Sequence, residues 1–114
     1  MSVDLWVEIE EVTRLLDLSL KEAKKRGDAM VRAEAEYYSA KARAAFDLKE
    51  DGYPVTLIEM VIKGMPEVVG KMTAYHAAQV EYENAREARN VYKKKLDTLR
   101  EEYAREWSRA GMGD

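Results

Sequence analysis

The sequence predicts an all-α fold: an antiparallel hairpin of two long, coiled-coil-like helices joined by a short connector helix and assembling into a helical bundle. Three observations carry that expectation. The 114-residue chain is 46% hydrophobic and 36% charged, above the roughly 25% charge of an average globular protein. Apolar residues recur at spacings of three and four on both sides of the middle, the period of an amphipathic helix. Both prolines, two of the six glycines and the densest apolar run are gathered between Gly52 and Pro66, so the breaks in the pattern fall at one place.

The first helix is predicted over 4–49. Leu5, Ile9, Val12, Leu16, Leu20, Ala23, Gly27, Met30, Ala33, Tyr37, Ala40, Ala44 and Leu48 form one continuous stripe. Ser2 or Asp4 serves as the start cap, and Asp4, Glu8, Glu10 and Glu11 put negative charge at the positive end of the helix dipole. Pairs four residues apart, Glu10 with Arg14, Asp17 with Lys21, Glu22 with Arg26 and Asp28 with Arg32, stitch the outer face. Gly27 costs ~1 kcal/mol against alanine inside a helix and marks a kink or a close helix crossing. Asp51-Gly52 and Tyr53-Pro54 end the helix, since a residue before proline avoids the helical region.

The connector, 50–65, contains a predicted helix from Leu57 to Lys63. Thr56 and Glu59 read as a capping box, and Gly64 as the stop. Glu59 and Lys63 make its only polar edge, with Leu57, Ile58, Met60, Val61 and Ile62 in nearly all other directions. The last helix is predicted over 66–109, with Pro66 in its first turn beside Glu67. Its seam keeps heptad spacing: Val68, Tyr75, Tyr82, Arg89, Leu96 and Tyr103 at one position, Ala78, Ala85, Tyr92 and Leu99 at the other, which predicts left-handed coiled-coil packing. Arg89 breaks the apolar seam, and a nearby carboxylate is expected to accompany it. Residues 110–114 read as a frayed tail of a single helical domain.

A hairpin buries one stripe per helix, and this chain has more apolar surface than that. Trp6, Val7, Leu15, Leu18, Val31, Tyr38 and Phe46 fall off the main seam, and the connector is apolar on opposite sides. The expectation is a homo-oligomer, a dimer forming a four-helix bundle, with Leu57, Ile58, Val61, Ile62, Trp6, Leu15 and Leu18 as interface candidates. The alternative is a monomeric three-helix bundle in which the connector folds back over the hairpin.

Composition excludes several classes of chemistry. There is no cysteine for a disulfide, a thiol nucleophile or a thiolate metal site, and His76 is the only histidine. It lacks the glutamate three residues before it that a di-iron bundle requires. Glu8, Glu10, Glu11, Glu34 and Glu36 read as solvated acids rather than Mg2+ ligands of a bundle phosphohydrolase, because the seams hold no carboxylate. No catalytic residue, metal or cofactor is expected. The net charge of -3 gives no whole-molecule field toward polyanions, and the amino terminus lacks the basic start of a signal peptide. Arg86, Arg89, Lys93, Lys94 and Arg100 are candidate nucleic-acid contacts, interleaved with Glu83, Glu87, Asp97 and Glu101 that cancel much of their field. Tyr37, Tyr75, Tyr82, Tyr92 and Tyr103 read as core packing with hydroxyls at the rim rather than as a base-stacking platform.

Tyr53-Pro-Val-Thr-Leu-Ile58, Gly64 and the stretch Tyr82-Glu-Asn-Ala-Arg-Glu-Ala-Arg-Asn-Val-Tyr-Lys93 resemble small helical proteins encoded by bacteriophages and prophages of Gram-positive bacteria. The resemblance covers roughly Ala29 to Trp107, leaves Met1 to Arg26 unmatched and departs at Ile62-Lys63. It implies a companion of early replication and recombination genes in the bacterial cytoplasm, and carries no catalytic residue over. The sequence therefore points to a non-enzymatic interaction protein that oligomerises and binds a macromolecule, with an unidentified protein as partner and no membrane. Direct nucleic-acid binding is the alternative, and a metal-dependent bundle phosphohydrolase the third.

Overall fold

The computed structural model describes residues 3–112 and contains, among them, three helices and no strand: α1 (Val3–Glu50), α2 (Val55–Ile62) and α3 (Pro66–Met112). The long helices α1 and α3 pack antiparallel against each other with α2 as the connector. Two compact units are built on them, one from the described parts of Met1–Lys24 and Glu83–Asp114, the other from Lys25–Tyr82.

The first unit is held by Leu5, Ile9 and Val12 of α1 against Leu96 and Leu99 of α3, with Leu16 and Tyr103 packed on them. These five aliphatics lie on the two expected stripes. Trp6 and Trp107 flank the end of this core, each with its ring about 6 Å from Tyr103 (5.8 and 6.2 Å). The α1 stripe departs from expectation at one place: Leu20 is 46% exposed, and Ser19 is buried instead. From Leu16 a step of three rather than four keeps the seam straight, and the Ser19 hydroxyl is satisfied by donating to the Leu16 carbonyl at 2.8 Å.

In the second unit Ala44 and Leu48 of α1, Ile58 and Ile62 of α2 and Val68 of α3 close one core, lined by Tyr37, Ala45, Val61 and Met65. The connector helix thus folds over the hairpin within its own unit, the arrangement of the three-helix alternative. Farther along, Gly27 is a close crossing. A Cβ placed there would lie 3.2 Å from Cε1 of Tyr82, so the tyrosine ring occupies the space a side chain would need. Three ion pairs link α1 to α3: Arg26 to Glu81 at 2.7 Å, Lys71 to Glu36 at 3.1 Å and Arg43 to Glu67 at 3.6 Å. Exposed pairs of this kind are worth ~0.2–1 kcal/mol each, but they penalise a slipped register.

The turn after α1 is a Schellman motif. Gly52 takes φ 86°, its N–H donates to the Lys49 carbonyl (3.1 Å) and the Tyr53 N–H to the Leu48 carbonyl (3.0 Å). The predicted capping box at Thr56 does not form, and α2 starts two residues early. Pro54 is the cap residue, extended at φ -61° and ψ 141°, with no side-chain cap hydrogen bond. Thr56 is therefore already helical. At the actual start the cap residue, Pro54, has no side-chain acceptor and the third helical residue is Leu57, so neither half of a capping box is present. Gly64 is not left-handed, since Gly52 alone has positive φ among the described residues. The chain leaves α2 through N–H bonds from Gly64 to the Val61 carbonyl and from Met65 to the Ile62 carbonyl (3.1 and 3.0 Å). Asp4 lies inside the first turn rather than capping it, and Ser2 lies outside the described residues. Gly111 and Met112 are helical, extending α3 beyond the expected end at 109, and 113–114 of the expected tail lie outside the described residues. Arg14 pairs with Glu11 instead of Glu10, Nη2 to Oε1 at 2.6 Å, which holds the Glu11 carboxyl below its ordinary value and the Arg14 guanidinium above its own.

Candidate interaction surface

The interface candidates of α2 divide by face. Ile58 and Ile62 are buried in the second unit's core and Val61 is half-buried, so the first two are spent inside the molecule rather than on an outer surface. The outer edge consists of Leu57 and Met60, both exposed, beside exposed Tyr53 and Val55. A helix of eight residues cannot turn every side inward against two neighbours, and this one turns its Ile58–Ile62 edge. In the first unit Trp6 and Leu18 are about half exposed and Leu15 is half-buried.

Between α1, α2 and α3 of the second unit lies a cleft of about 580 Å3. Ala42 and Ala45, Ile58 and Ile62, and Val68 and Met72 supply an apolar wall from each helix, with Lys41, Glu59 and Lys63 as its charged groups. Its size falls in the range of ligand and side-chain pockets, and its lining suits an apolar group. Sequence reasoning missed Lys41, Ala42, Val69 and Met72 as part of it, because the cleft exists only once α2 is folded against the pair.

An aromatic cluster borders it. Tyr37 stacks on Tyr75 with centroids 6.1 Å apart and lies 5.3 Å from Tyr38, while the Lys41 ammonium sits 5.4 Å from the Tyr37 ring centre and 6.0 Å from that of Tyr38. Gln79 Nε2 donates to the Tyr75 hydroxyl at 3.1 Å. The Glu34 carboxylate, by accepting the hydroxyl proton's hydrogen bond, raises the Tyr75 pKa above its ordinary value, with partial burial adding to the shift. Tyr37, Tyr75, Tyr82, Tyr92 and Tyr103 are all half-buried on the seam, as core packing requires. His76 is exposed, beside Tyr75 at 5.6 Å between ring centres.

Of the basic candidates, Arg86, Lys93 and Arg100 recur every seven residues along one side of α3 with Arg89 beside them, and Lys94 lies off that side. Arg89 and Lys93 share a cleft with Leu16 and Leu20, Arg100 lines another with Trp6, Glu10 and Tyr103, and exposed Lys94 points roughly 100° around the helix from Lys93. Arg86 lies on the exposed side at the Lys93 heptad position. Arg89 is half-buried, and the expected carboxylate is absent: no ion pair to it forms among the described residues. Its guanidinium is solvated from the open cleft beside Lys93, which removes the need for a buried counter-charge. Of the acids considered as metal ligands, Glu11 is engaged by Arg14 and Glu36 by Lys71. Among the described residues no group of three or more histidines and acids is placed to hold a metal ion, and no helix is long and apolar enough to cross a membrane. No family model, curated protein or solved structure matches the chain.

Proposed function

We propose that this protein acts without catalysis, as a helical interaction module of the bacterial cytoplasm that self-assembles and holds a macromolecular partner. On the phage and prophage resemblance, its setting is accessory to DNA replication or recombination. The observation that carries the reading is the second unit's unused apolar surface. After α2 has closed the core, Leu57 and Met60 on α2 and Val31, Tyr38 and Phe46 on α1 stay exposed in a unit that also holds an open apolar cleft. Covering such surface gains ~25 cal/mol per Å2, and leaving it in water favours association.

Light scattering at micromolar concentration tests self-assembly: a mass above the 13.1 kDa of one chain is expected, and 13.1 kDa at every concentration refutes it. Met60→Asp or Leu57→Asp changes only the outer edge of α2. Each is expected to keep the helical circular dichroism of the wild type while weakening capture of partner. Ile58→Asp, by contrast, buries a charge in the core and unfolds the second unit. Charge reversal at Arg86 or Lys93 leaves partner binding unchanged on this reading; a steep loss would move the function to direct nucleic-acid contact.

A further inference from the structure

Resting on the self-assembly reading above, we propose that α1 of one copy packs antiparallel on α1 of a second copy through a second heptad stripe, Val31, Ala35, Tyr38, Ala42 and Ala45. These residues alternate in steps of four and three, as a coiled-coil seam does. At 100° per residue the stripe lies roughly 150° around the helix from the seam that faces α3. Val31 is 63% exposed and Tyr38 55%, Ala35 and Ala42 are exposed, and Phe46 flanks them at 64%. Within the second unit Ala42 and Ala45 line the cleft, Ala45 also packs on the core, Ala35 borders a second cleft beside Glu67 and Lys71 of α3, and one side of the Tyr38 ring meets Tyr37 and Lys41; Val31 and Tyr38 nonetheless keep more than half of their surface exposed.

Charge selects the occupant and the register. Glu34 and Lys41 lie seven residues apart at the same flanking position of this stripe, both half-buried, Glu34 beside the Tyr75 hydroxyl and Lys41 over the Tyr37 and Tyr38 rings. In an antiparallel pair, like flanking positions face each other. A two-fold axis between Glu36 and Tyr37 then sets Glu34 against Lys41 of the second copy, and the symmetry repeats that pair. The same register places Ala35 opposite Tyr38 and Ala42 opposite Val31, small against large in four layers. On the other flank it sets Arg32 beside Ser39. Sliding by one heptad brings Lys41 onto Lys41 of the other copy. A parallel pair sets Glu34 by Ser39 and Lys41 by Phe46, and both charges lose their partners. The surface is therefore complementary to itself in one arrangement, which a partner of unrelated sequence would not match.

The test uses the full chain and compares wild type, Glu34→Lys, Lys41→Glu, the double variant and an equimolar mixture of the two single variants, by sedimentation and circular dichroism. Each single variant turns two opposite-charge contacts into two like-charge ones and is expected to weaken the dimer about tenfold. The double variant and the mixture both restore opposite pairs and are expected to recover wild-type association. Recovery on mixing cannot arise from changes within one chain. As a second readout, in a chain without cysteine, Val31→Cys mixed with Ala42→Cys is expected to cross-link on mild oxidation far faster than either alone. A wild-type chain that stays monomeric overturns both the self-assembly reading and this inference. A wild-type dimer that single charge reversal does not weaken, that mixing does not restore, or whose Val31→Cys variant cross-links to itself overturns this inference alone.

Discussion

Two glycines on the long helices provide a matched measurement of how closely α1 and α3 approach in the second unit. Gly70 sits in α3 with open space where a Cβ would go, whereas the same atom at Gly27 would meet Tyr82 at 3.2, 3.5 and 3.9 Å. Neither has positive φ, so both substitutions to alanine remove the same helix cost, ~0.8–1 kcal/mol. Near the melting temperature a chain of 114 residues changes entropy on unfolding by roughly 0.24 kcal/mol per K, so Gly70→Ala is expected to raise the midpoint by about 4 °C. Gly27→Ala must also push the Tyr82 ring back by a few tenths of an ångström, and a contact tight enough to require that offsets most of the gain. The expected shift is near zero, with the full gain returning when Gly27→Ala is made in a Tyr82→Ala background. Thermal melts of the two alanine variants, the tyrosine variant and the double variant form a double-mutant cycle that isolates the contact. Equal stabilisation at both glycines would refute the close crossing.

Ile62→Ala, which empties a site buried between α1, α2 and α3 of the second unit, is expected to cost ~2–5 kcal/mol in urea unfolding, while exposed Met60→Ala stays within about 0.5 kcal/mol. Because Glu34 raises the Tyr75 pKa, this hydroxyl should ionise at higher pH than a free tyrosine, and Glu34→Gln should bring its absorbance titration back down. The sign of the linkage follows: the contribution of this contact is complete below the ordinary tyrosine pKa and is lost as pH rises through the raised one. Arg89→Leu completes an apolar heptad seam beside Leu16 and Leu20 and is expected to raise the melting temperature; a fall would mean that the guanidinium holds a contact the cleft geometry does not show.

The periodic parts of this fold were legible in the sequence because heptad spacing is a local signal. Val68, Leu96 and Leu99 are buried, and Tyr75, Tyr82, Arg89 and Tyr103 lie at intermediate burial on the same seam. Leu20 misled because leucine outranks serine in any hydrophobic pattern, while the geometry of the stripe needed position 19 and the backbone carbonyl of Leu16 satisfied the hydroxyl. The ion pairs were harder. Pairing rules within one helix assign Glu10 to Arg14 and Glu67 to Lys71 and leave Glu81 without a partner, whereas the folded pair joins α1 to α3 through Arg26 with Glu81, Glu36 with Lys71 and Arg43 with Glu67. The capping box failed for a related reason: Thr56 and Glu59 have the right spacing, but a proline two residues before Thr56 had already fixed the start of the helix. The cleft was invisible, since α2 presents apolar residues in nearly every direction but that of Glu59, and sequence alone does not say which apolar edge turns inward.

That choice of edge links the fold to its proposed use. By committing Ile58 and Ile62 to the core, α2 fills the end of the hairpin in the second unit and leaves Ala42 and Ala45 of α1 shared between the cleft wall and the second stripe. A second copy laid along Val31 to Ala45 would therefore border the cleft and deepen it, so the dimer and the cleft are not independent sites. Alanines at these two positions serve both purposes, since a larger side chain at Ala42 would fill the cleft and hold the helices apart at the same time. Ala42→Leu is accordingly expected to weaken self-association while leaving the helical content unchanged, because position 42 faces solvent in the single chain. A leucine there that strengthened association instead would place the contact between copies somewhere other than this stripe.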